Sequence, residues 1–373
     1  MRLQMRGLAG GALAVLLAST GAAWATPSYT LIDMGLLGGS YSGAQAVNDL
    51  GQVVGYAGTS PTSSLSRVAS SWQNGTLSSL GTLPGATRST ALSVNNAGTA
   101  VGWSQDSSGA TRAASFSGGT VSNLNSAATA GLSLSYAWDI NASGAIAGVG
   151  DLASGYGRGY VLNGGTLTVL PTLGGTRSDA YGINDSGQVV GRARIAAGDA
   201  THAALWVNGA ATDLGTIGGT TSQAWDINNA GVISGWSLDA SGVRHAVTWG
   251  VDGIATVLAS LGGGFDQGYD INDSGDVVGQ SLDSTGTSKA VLWTGGGIYD
   301  LNTLIQGASP LTLNFAWGES NTGWIVGQGK AADGSTHGFM LVPVPEPWTV
   351  LLLLPAVGCL LVIRRRGGGV ALG

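Results

Sequence analysis

Short apolar runs alternate with polar turns along most of this chain, and the pattern is plainest over residues 224–249. Three apolar runs there are separated by the turns Asn228-Asn229-Ala230-Gly231 and Asp239-Ala240-Ser241-Gly242. Asn and Asp favour tight turns because their side chains bond to nearby backbone groups, and Gly supplies the positive φ that many turns need. This stretch therefore predicts antiparallel strands joined by hairpins.

The same unit recurs along the chain. Its Asn-x-x-Gly turn appears at Asn48/Gly51, Asn95/Gly98, Asn141/Gly144, Asn184/Gly187, Asn228/Gly231 and Asn272/Gly275, and Ser320 replaces the Asn in a seventh copy before Gly323. Successive copies are 43 to 48 residues apart. In all seven, a second Gly follows four residues after the first, at Gly55, Gly102, Gly148, Gly191, Gly235, Gly279 and Gly327. Such a period indicates a repeat architecture.

Each unit has room for four strands. The first strand ends at the Asn turn, the second follows it, and the fourth is short and leads into a linker such as Leu173-Gly174-Gly175. The third strand ends on a large apolar residue in every unit: Trp72, Phe116, Leu162, Trp206, Trp249, Trp293 and Leu341. Four strands in about 45 residues is the size of a propeller blade.

The phase of the repeats favours a closed ring. A lone fourth strand opens the array at 29–34, and the seventh unit stops after its third strand at 336–341. If the first strand completes the last unit, both open edges disappear together. We therefore predict an all-β fold, a seven-bladed β-propeller over 26–343 closed by the N-terminal strand. A solenoid or stacked sandwiches are the alternatives, although a solenoid needs capping units that the sequence does not display.

The sequence patterns at both ends of the chain predict export segments. Residues 1–25 form a predicted signal peptide, with Arg2 and Arg6 before an apolar stretch and Ala23-Trp24-Ala25 at the cleavage site. At the other end, Val344-Pro345-Glu346-Pro347 precedes a predicted transmembrane helix at 348–363 and then Arg364, Arg365 and Arg366. Sixteen helical residues span about 24 Å, slightly short of a ~30 Å hydrocarbon core. The arginines favour the cytoplasmic side, so 367–373 is a predicted cytoplasmic tail.

Two resemblances follow from these motifs. The Leu-Gly-Gly, Ile-Asn-x-x-Gly-x-Val-x-Gly and His-Ala-x patterns over 29–341 resemble the HAF-repeat extracellular proteins, although the nearest copies, such as His337-Gly338-Phe339, do not spell His-Ala-Phe. This resemblance implies an exported bacterial repeat protein and no particular activity.

Residues 344–366 closely resemble a PEP-CTERM sorting signal. That resemblance implies a Gram-negative bacterium that makes exopolysaccharide. It also implies that an exosortase recognises Pro345, Glu346 and Pro347 and that the helix is a transient anchor in the inner membrane. A permanent tail anchor is the alternative.

Composition narrows the choice of partners. Gly accounts for 65 of 373 residues and charged residues for 10%, which excludes a charged disordered chain and suits short strands joined by tight turns. The lone Cys359 permits no intramolecular disulfide. Residues 26–345 contain ten basic and twenty acidic side chains, a net charge of −10 that makes nucleic acid a poor partner.

A basic or imidazole side chain occupies one repeat position, four residues before the end of the third strand, in six of the seven units. These candidate ligand-binding residues are Arg112, Arg158, His202, His245, Lys289 and His337. One interpretation is that each pairs with a nearby carboxylate such as Asp213 or Asp226. The other is a ring of cationic groups available to an acidic polymer.

Other patterns offer little catalytic chemistry. Trp138, Tyr181, Trp225, Tyr269 and Trp317 share the third position before the turn Asn, where we expect packing between units rather than a sugar platform. Asp270-x-Asn272-x-Ser274-Gly275 is similar to an oxygen-rich calcium loop, but no late acidic ligand follows, so a turn-capping Asn is the simpler interpretation. No Gly-x-Ser-x-Gly, metal-spaced His pair or phosphate loop occurs, and we predict no catalytic residue, metal or cofactor.

The sequence thus predicts an exported, exosortase-sorted protein of the cell surface or extracellular matrix. Its propeller is expected to act as a non-enzymatic scaffold or binding module, with exopolysaccharide or a matrix protein as partner. The alternative is a secreted carbohydrate-active enzyme, for which carboxylates should converge in one pocket at the mouth of the channel.

Overall fold

The computed structural model describes residues 26–61, 66–127, 131–196 and 200–345. Several predicted segments lie outside these residues: the signal peptide, Glu346 and Pro347, the transmembrane helix at 348–363, the three arginines and the tail. Within the described ranges, no helix has both the length and the apolar character needed to cross a membrane.

The described chain is almost entirely β-structure. Its strands are β1 (Tyr29–Asp33), β2 (Ser42–Val47), β3 (Val53–Gly58), β4 (Arg67–Gln73), β5 (Thr76–Gly81), β6 (Ser89–Val94), β7 (Ala100–Gln105), β8 (Thr111–Ser117), β9 (Thr120–Asn123), β10 (Leu132–Ile140), β11 (Ile146–Leu152), β12 (Gly157–Asn163), β13 (Thr166–Val169), β14 (Gly174–Ile183), β15 (Val189–Ile195), β16 (Thr201–Val207), β17 (Ala210–Gly215), β18 (Gly218–Ile227), β19 (Ile233–Asp239), β20 (Arg244–Trp249), β21 (Ala255–Val257), β22 (Gly262–Ile271), β23 (Val277–Asp283), β24 (Ser288–Thr294), β25 (Gly297–Asp300), β26 (Leu311–Glu319), β27 (Ile325–Ala331) and β28 (Thr336–Pro343). Two short 3-10 helices, Leu124–Ala127 and Leu301–Thr303, lie between strands.

The strands pair in antiparallel sets of four, which we number as sheets 1 to 7. Sheets 1 to 6 are β2–β5, β6–β9, β10–β13, β14–β17, β18–β21 and β22–β25, and sheet 7 is β26, β27, β28 and β1. A single parallel bridge between Arg244 and Phe265 connects sheets 5 and 6. The predicted all-β class and the four-strand unit are confirmed.

The N-terminal strand belongs to the last sheet. Residues Tyr29 to Asp33 of β1 pair in register with Pro343 to Phe339 of β28. The first strands β2, β6, β10, β14, β18, β22 and β26 each contact the next, and β26 also contacts β2. These contacts bring the beginning and the end of the repeat array together.

The two repeated glycines have different physical causes. Gly231 has φ +84° and its N–H donates to the Asn228 carbonyl at 3.0 Å, which is the positive-φ turn that the sequence predicts. Gly235 lies beside a bulge in β18, and a Cβ there would stand only 2.1 Å from the carbonyl oxygen of Gln223. The second glycine is therefore required by close backbone approach.

The core lies between neighbouring sheets rather than within one of them. Trp249 of sheet 5 is fully buried in a cluster that also contains Val190 and Ala203 of sheet 4. Sheet 7 shares one such cluster with sheet 6 and another with sheet 1, the latter joining Met340 to Trp72. Because each sheet covers the apolar face of the next, the repeat is stable only as an array.

Candidate functional site

The first strands surround a cavity of about 600 Å³. Six aromatic side chains form most of one wall, and we call them the aromatic collar: Tyr136, Trp138, Tyr181, Trp225, Tyr269 and Trp317. Their ring centroids are close, for example 4.8 Å between Tyr181 and Trp225 and 4.3 Å between Tyr269 and Trp317. The expected packing between units is confirmed, and the same rings also line the cavity.

The cavity is also lined by a cation and several amides. The Arg67 guanidinium lies 4.9 Å from the ring centre of Tyr56 and 5.1 Å from that of Trp103. Gln45, Gln267 and Gln328 line the cavity as well. The cavity thus combines apolar faces with a few polar groups, which is the usual make-up of a small-molecule site.

Several polar atoms of the cavity-lining side chains have no hydrogen-bond partner within the described protein. They are Trp225 Nε1, Trp317 Nε1, Thr90 Oγ1 and Arg67 Nε. The tryptophans at the ends of third strands differ, because Trp206, Trp249 and Trp293 donate to backbone carbonyls at 2.9, 3.1 and 2.7 Å. The fold therefore satisfies indole N–H groups in the core and leaves them unpaired around the cavity, which is unusual for buried donors.

Three aspartates follow the collar, each one residue further along its first strand. Asp139, Asp226 and Asp270, the axial carboxylates, all line the cavity. Each accepts a backbone N–H from the neighbouring first strand: Ile183 to Asp139 at 2.8 Å, Ile271 to Asp226 at 3.2 Å and Glu319 to Asp270 at 2.6 Å. The carboxylates therefore tie adjacent sheets together as well as facing the cavity.

Burial and mutual repulsion raise the pKa values of these carboxylates. Burial raises the pKa of Asp139 to about 6, and the negative charge of Asp226 contributes to the rise. Burial also raises the pKa of Asp226 well above its ordinary value, with the charge of Asp270 and the hydrogen bond between the two side chains adding to it. The pKa of Asp270 is raised by burial too. Asp226 is thus the protonated partner that donates to Asp270.

The repeated Asn turns form a chain of hydrogen bonds beside a cavity of about 210 Å³, which the axial carboxylates also line. Each Asn donates to the carbonyl of the next, from Asn48 through Asn95, Asn141, Asn184 and Asn228 to Asn272, at 3.0 to 3.2 Å. Asn272 Oδ1 accepts from Ser274 and Asp276 N–H at 3.0 Å, so the predicted turn cap is confirmed. The described residues contain no cluster of His, Cys, Asp and Glu side chains suited to a metal ion.

The six basic residues at the repeated third-strand position line neither the cavity of about 600 Å³ nor the one of about 210 Å³. Their partners are local: Arg112 with Asp106 at 2.8 Å, His202 with Asp213 at 2.9 Å, His245 with Asp239 at 3.0 Å, Lys289 with Asp283 at 3.6 Å and Asp300 at 3.8 Å, His337 with Asp33 at 2.8 Å, and Arg158 with the carbonyls of Gly157 and Thr176. The suggested partner Asp213 is found, whereas Asp226 belongs to the axial carboxylates. A role for these six residues in ligand binding stays a prediction.

The sequence analysis missed Arg67 and the joint role of the axial carboxylates. A usable signal was present, because an aromatic residue directly precedes each aspartate in Trp138-Asp139, Trp225-Asp226 and Tyr269-Asp270. Neighbouring residues of a regular strand face opposite ways. The first strands of these units are bulged before the turn, with register shifts at Ala137/Asp139, Ala224/Asp226 and Gly268/Asp270.

Comparison with known proteins gives the fold alone. No family model and no curated protein matches the sequence. A Mycobacterium tuberculosis puromycin-hydrolyzing peptidase is similar in structure, with a TM-score of 0.52, 11% identity, and coverage of 85% of this chain and 56% of that one. TolB from Acinetobacter baumannii is also similar, with a TM-score of 0.42, 11% identity, and coverage of 82% of this chain and 64% of that one. A fungal lectin with a six-bladed β-propeller fold has a TM-score of 0.35, 14% identity, and coverage of 69% of this chain and 96% of that one. The chain thus spans less than two thirds of TolB and of the peptidase.

Proposed function

We propose that this is an exported protein of the cell surface or extracellular matrix whose repeat body is a closed seven-bladed propeller that binds glycans in its axial cavity. Closure is supported by the pairing of β1 with β28 and by the His337–Asp33 contact at 2.8 Å, which joins residues 304 positions apart. It is also supported by the Asn321 N–H, which donates to Asp49 Oδ1 at 2.8 Å between the last unit and the first.

Export and sorting rest on the two ends of the sequence. The signal peptide at 1–25 directs the chain across the inner membrane, and Pro345-Glu346-Pro347 presents it to an exosortase-type enzyme. The helix at 348–363 and Arg364 to Arg366 hold the chain in the membrane until that step. Mass spectrometry of the surface protein in an exosortase-positive host tests this proposal, because an intact Gly373 would indicate a permanent anchor instead.

The aromatic collar around a cavity of about 600 Å³ is the observation that carries glycan binding. Aromatic faces match the C–H faces of sugar rings, and the amides and unpaired donors around the cavity can bond to hydroxyl groups. Burial among these rings gives affinity, while the few polar groups give orientation and specificity. The net charge of −10 over 26–345 separates this proposal from nucleic-acid binding, which uses basic surfaces.

A glycan array with the purified protein tests this function. Trp225→Leu removes a ring from the collar, so the affinity for any glycan bound by the wild type should fall about tenfold or more. Tyr156→Leu is the control, because Tyr156 is exposed and does not line the cavity. Equal binding by Trp225→Leu and the wild type would place the glycan elsewhere.

One observation favours the alternative of a carbohydrate-active enzyme. Asp139, Asp226 and Asp270 converge on the cavity, and a pKa of about 6 would allow Asp139 to donate a proton near neutral pH. Incubation of bound glycans with the wild type and with Asp139→Asn separates the two functions. Product release by the wild type alone supports an enzyme, and intact bound glycan supports a binding module.

A further inference from the structure

A third cavity, of about 160 Å³, lies in sheet 4. Arg177, Arg192 and Arg194 line it together with Asp179 and Thr201, and we call it the arginine cavity. Three of the ten basic side chains in 26–345 therefore lie around one small space, and Asp179 is the carboxylate among its described lining residues. In a region with twice as many acidic as basic residues, this is a local concentration of basic side chains.

Asp179 orients two of these arginines. Its side chain is 1% exposed and accepts from Arg177 Nε at 2.9 Å and from Arg192 Nε at 2.8 Å. Arg192 also donates from Nη1 to Gln223 Oε1 at 3.1 Å. The Arg177 side chain is 45% exposed, and its terminal nitrogens donate to no residue in the described parts of the chain. A buried carboxylate thus holds a guanidinium whose outer edge faces solvent.

The arginine cavity is joined to the aromatic collar by Tyr181. The Tyr181 hydroxyl lies 3.4 Å from Asp179 Oδ2, and the Arg192 guanidinium lies 5.7 Å from the centre of the Tyr181 ring. Tyr181 itself lines the larger cavity. Tyr181 therefore contacts two residues of the arginine cavity and belongs to the aromatic collar at the same time.

We propose that the arginine cavity is the carboxylate subsite for a glycan that contains uronic acid and whose neighbouring sugar lies against the aromatic collar. This inference rests on the proposed glycan binding. A guanidinium presents a planar fork of N–H donors that matches a carboxylate, and such charge-assisted bonds are stronger than neutral ones. Asp179 carries one negative charge and is shared by Arg177 and Arg192, so this group of three side chains keeps a net positive charge for a ligand.

A matched pair of ligands tests the inference without any mutation. Isothermal titration of the purified full-length protein with an oligogalacturonate trimer and with its fully methyl-esterified form compares the same sugars with and without charge. We expect the acid to bind about tenfold more tightly, and we expect this advantage to shrink as NaCl is raised, because salt screens partly exposed charges. Equal affinities for acid and ester would overturn the inference and leave glycan binding intact.

Two variants locate the subsite. Arg177→Gln should weaken binding of the acid about tenfold and leave binding of the ester unchanged. Lys330→Gln is the matched control, because Lys330 holds in β27 the repeat position that Arg194 holds in β15 and does not line the arginine cavity. Equal losses in both variants would show a bulk charge effect and overturn the inference. If the wild type binds neither ligand nor any neutral glycan on the array, the proposed function fails as well.

Discussion

Raising the pH from 5 to 8 should destabilise the folded protein, because the axial carboxylates bind protons more tightly in the folded chain than in the unfolded chain. The pKa of Asp139 rises from 3.8 to about 6 on folding. Between these values the folded state binds more protons than the unfolded state, so the free energy of unfolding falls as the pH rises. Below about pH 4 the aspartate is protonated in both states, and well above pH 6 the full penalty is present.

The size of the effect follows from Asp139. A difference of about two units between the folded and unfolded pKa is worth about 3 kcal/mol in all, and about half of it falls between pH 5 and pH 8 because Asp139 in the unfolded chain is already ionised at pH 5. Asp226 and Asp270 act in the same direction because their pKa values are also raised. The aspartates with lowered pKa, such as Asp239 and Asp283, contribute the opposite slope, but they are already ionised at pH 5 in both states.

Asp226→Asn tests whether the axial carboxylates, rather than other groups of the protein, cause this pH dependence. The amide can donate to Asp270 as the protonated acid does, and its oxygen can still accept the Ile271 N–H. Because an amide ionises in neither the folded nor the unfolded chain, the variant lacks the loss of stability that Asp226 contributes as the pH rises, so its stability should fall less than that of the wild type between pH 5 and pH 8. Asp252→Asn, which makes the same change on an exposed turn, is the control.

Denaturant unfolding at pH 5 and pH 8 and constant ionic strength measures both effects. Subtracting the free energy of unfolding of the variant from that of the wild type removes the contribution of the histidine–aspartate contacts, which are the same in both proteins. A wild type that is equally stable or more stable at pH 8 would refute the reasoning. The same pH dependence in Asp226→Asn and wild type would show that folding does not raise the pKa of Asp226.

Three further predictions concern the repeat and its ends. Gly231→Val should lower the free energy of unfolding by about 1–3 kcal/mol and Ser241→Ala by less, because Gly231 has φ +84°; equal melting temperatures would contradict this assignment. Deletion of residues 29–34 should lower the melting temperature and promote aggregation, since it exposes the edge of β28; unchanged stability and solubility would argue against closure. Replacing Pro345-Glu346-Pro347 by three alanines should leave the full-length, folded protein in the inner membrane, which fractionation and mass spectrometry of the C-terminus would detect; release and processing like the wild type would contradict the sorting role.

The sequence predicted those features that depend on local chemistry. The Asn turns, the positive φ of glycines such as Gly231 and the buried third-strand residues such as Trp249 all follow from a few neighbouring residues. The partners of the repeated basic residues were harder to predict, because some units use the aspartate six residues earlier and others use an aspartate of the fourth strand. Arg112 pairs within its own hairpin, whereas His337 pairs with Asp33 of the N-terminal strand.

The candidate site could not be predicted because it depends on register and bulges. A register shift falls between Ala180 and Gly182, just before the turn, and another falls between Gly174 and Ser178 at the start of the same strand. The second irregularity includes Arg177, which reaches the same carboxylate as Arg192 of the next strand. The alternation of side-chain direction along a regular strand does not predict which face such positions occupy, because a bulge changes which side chains share a face.

Repeat positions that keep one residue type differ in function from repeat positions at which the residue type varies. The turn asparagines recur because each one caps its own turn and bonds to the next unit, as Asn228 does to Asn272. At the position of the axial carboxylates, the units instead have Ala46, Ser93, Asp139, Gly182, Asp226, Asp270 and Gly318. A requirement common to all units would have produced one residue type there. Under the proposed function, the aspartates of only three units would serve a ligand that contacts sheets 3, 5 and 6, which also contribute Trp138, Trp225 and Tyr269 to the aromatic collar.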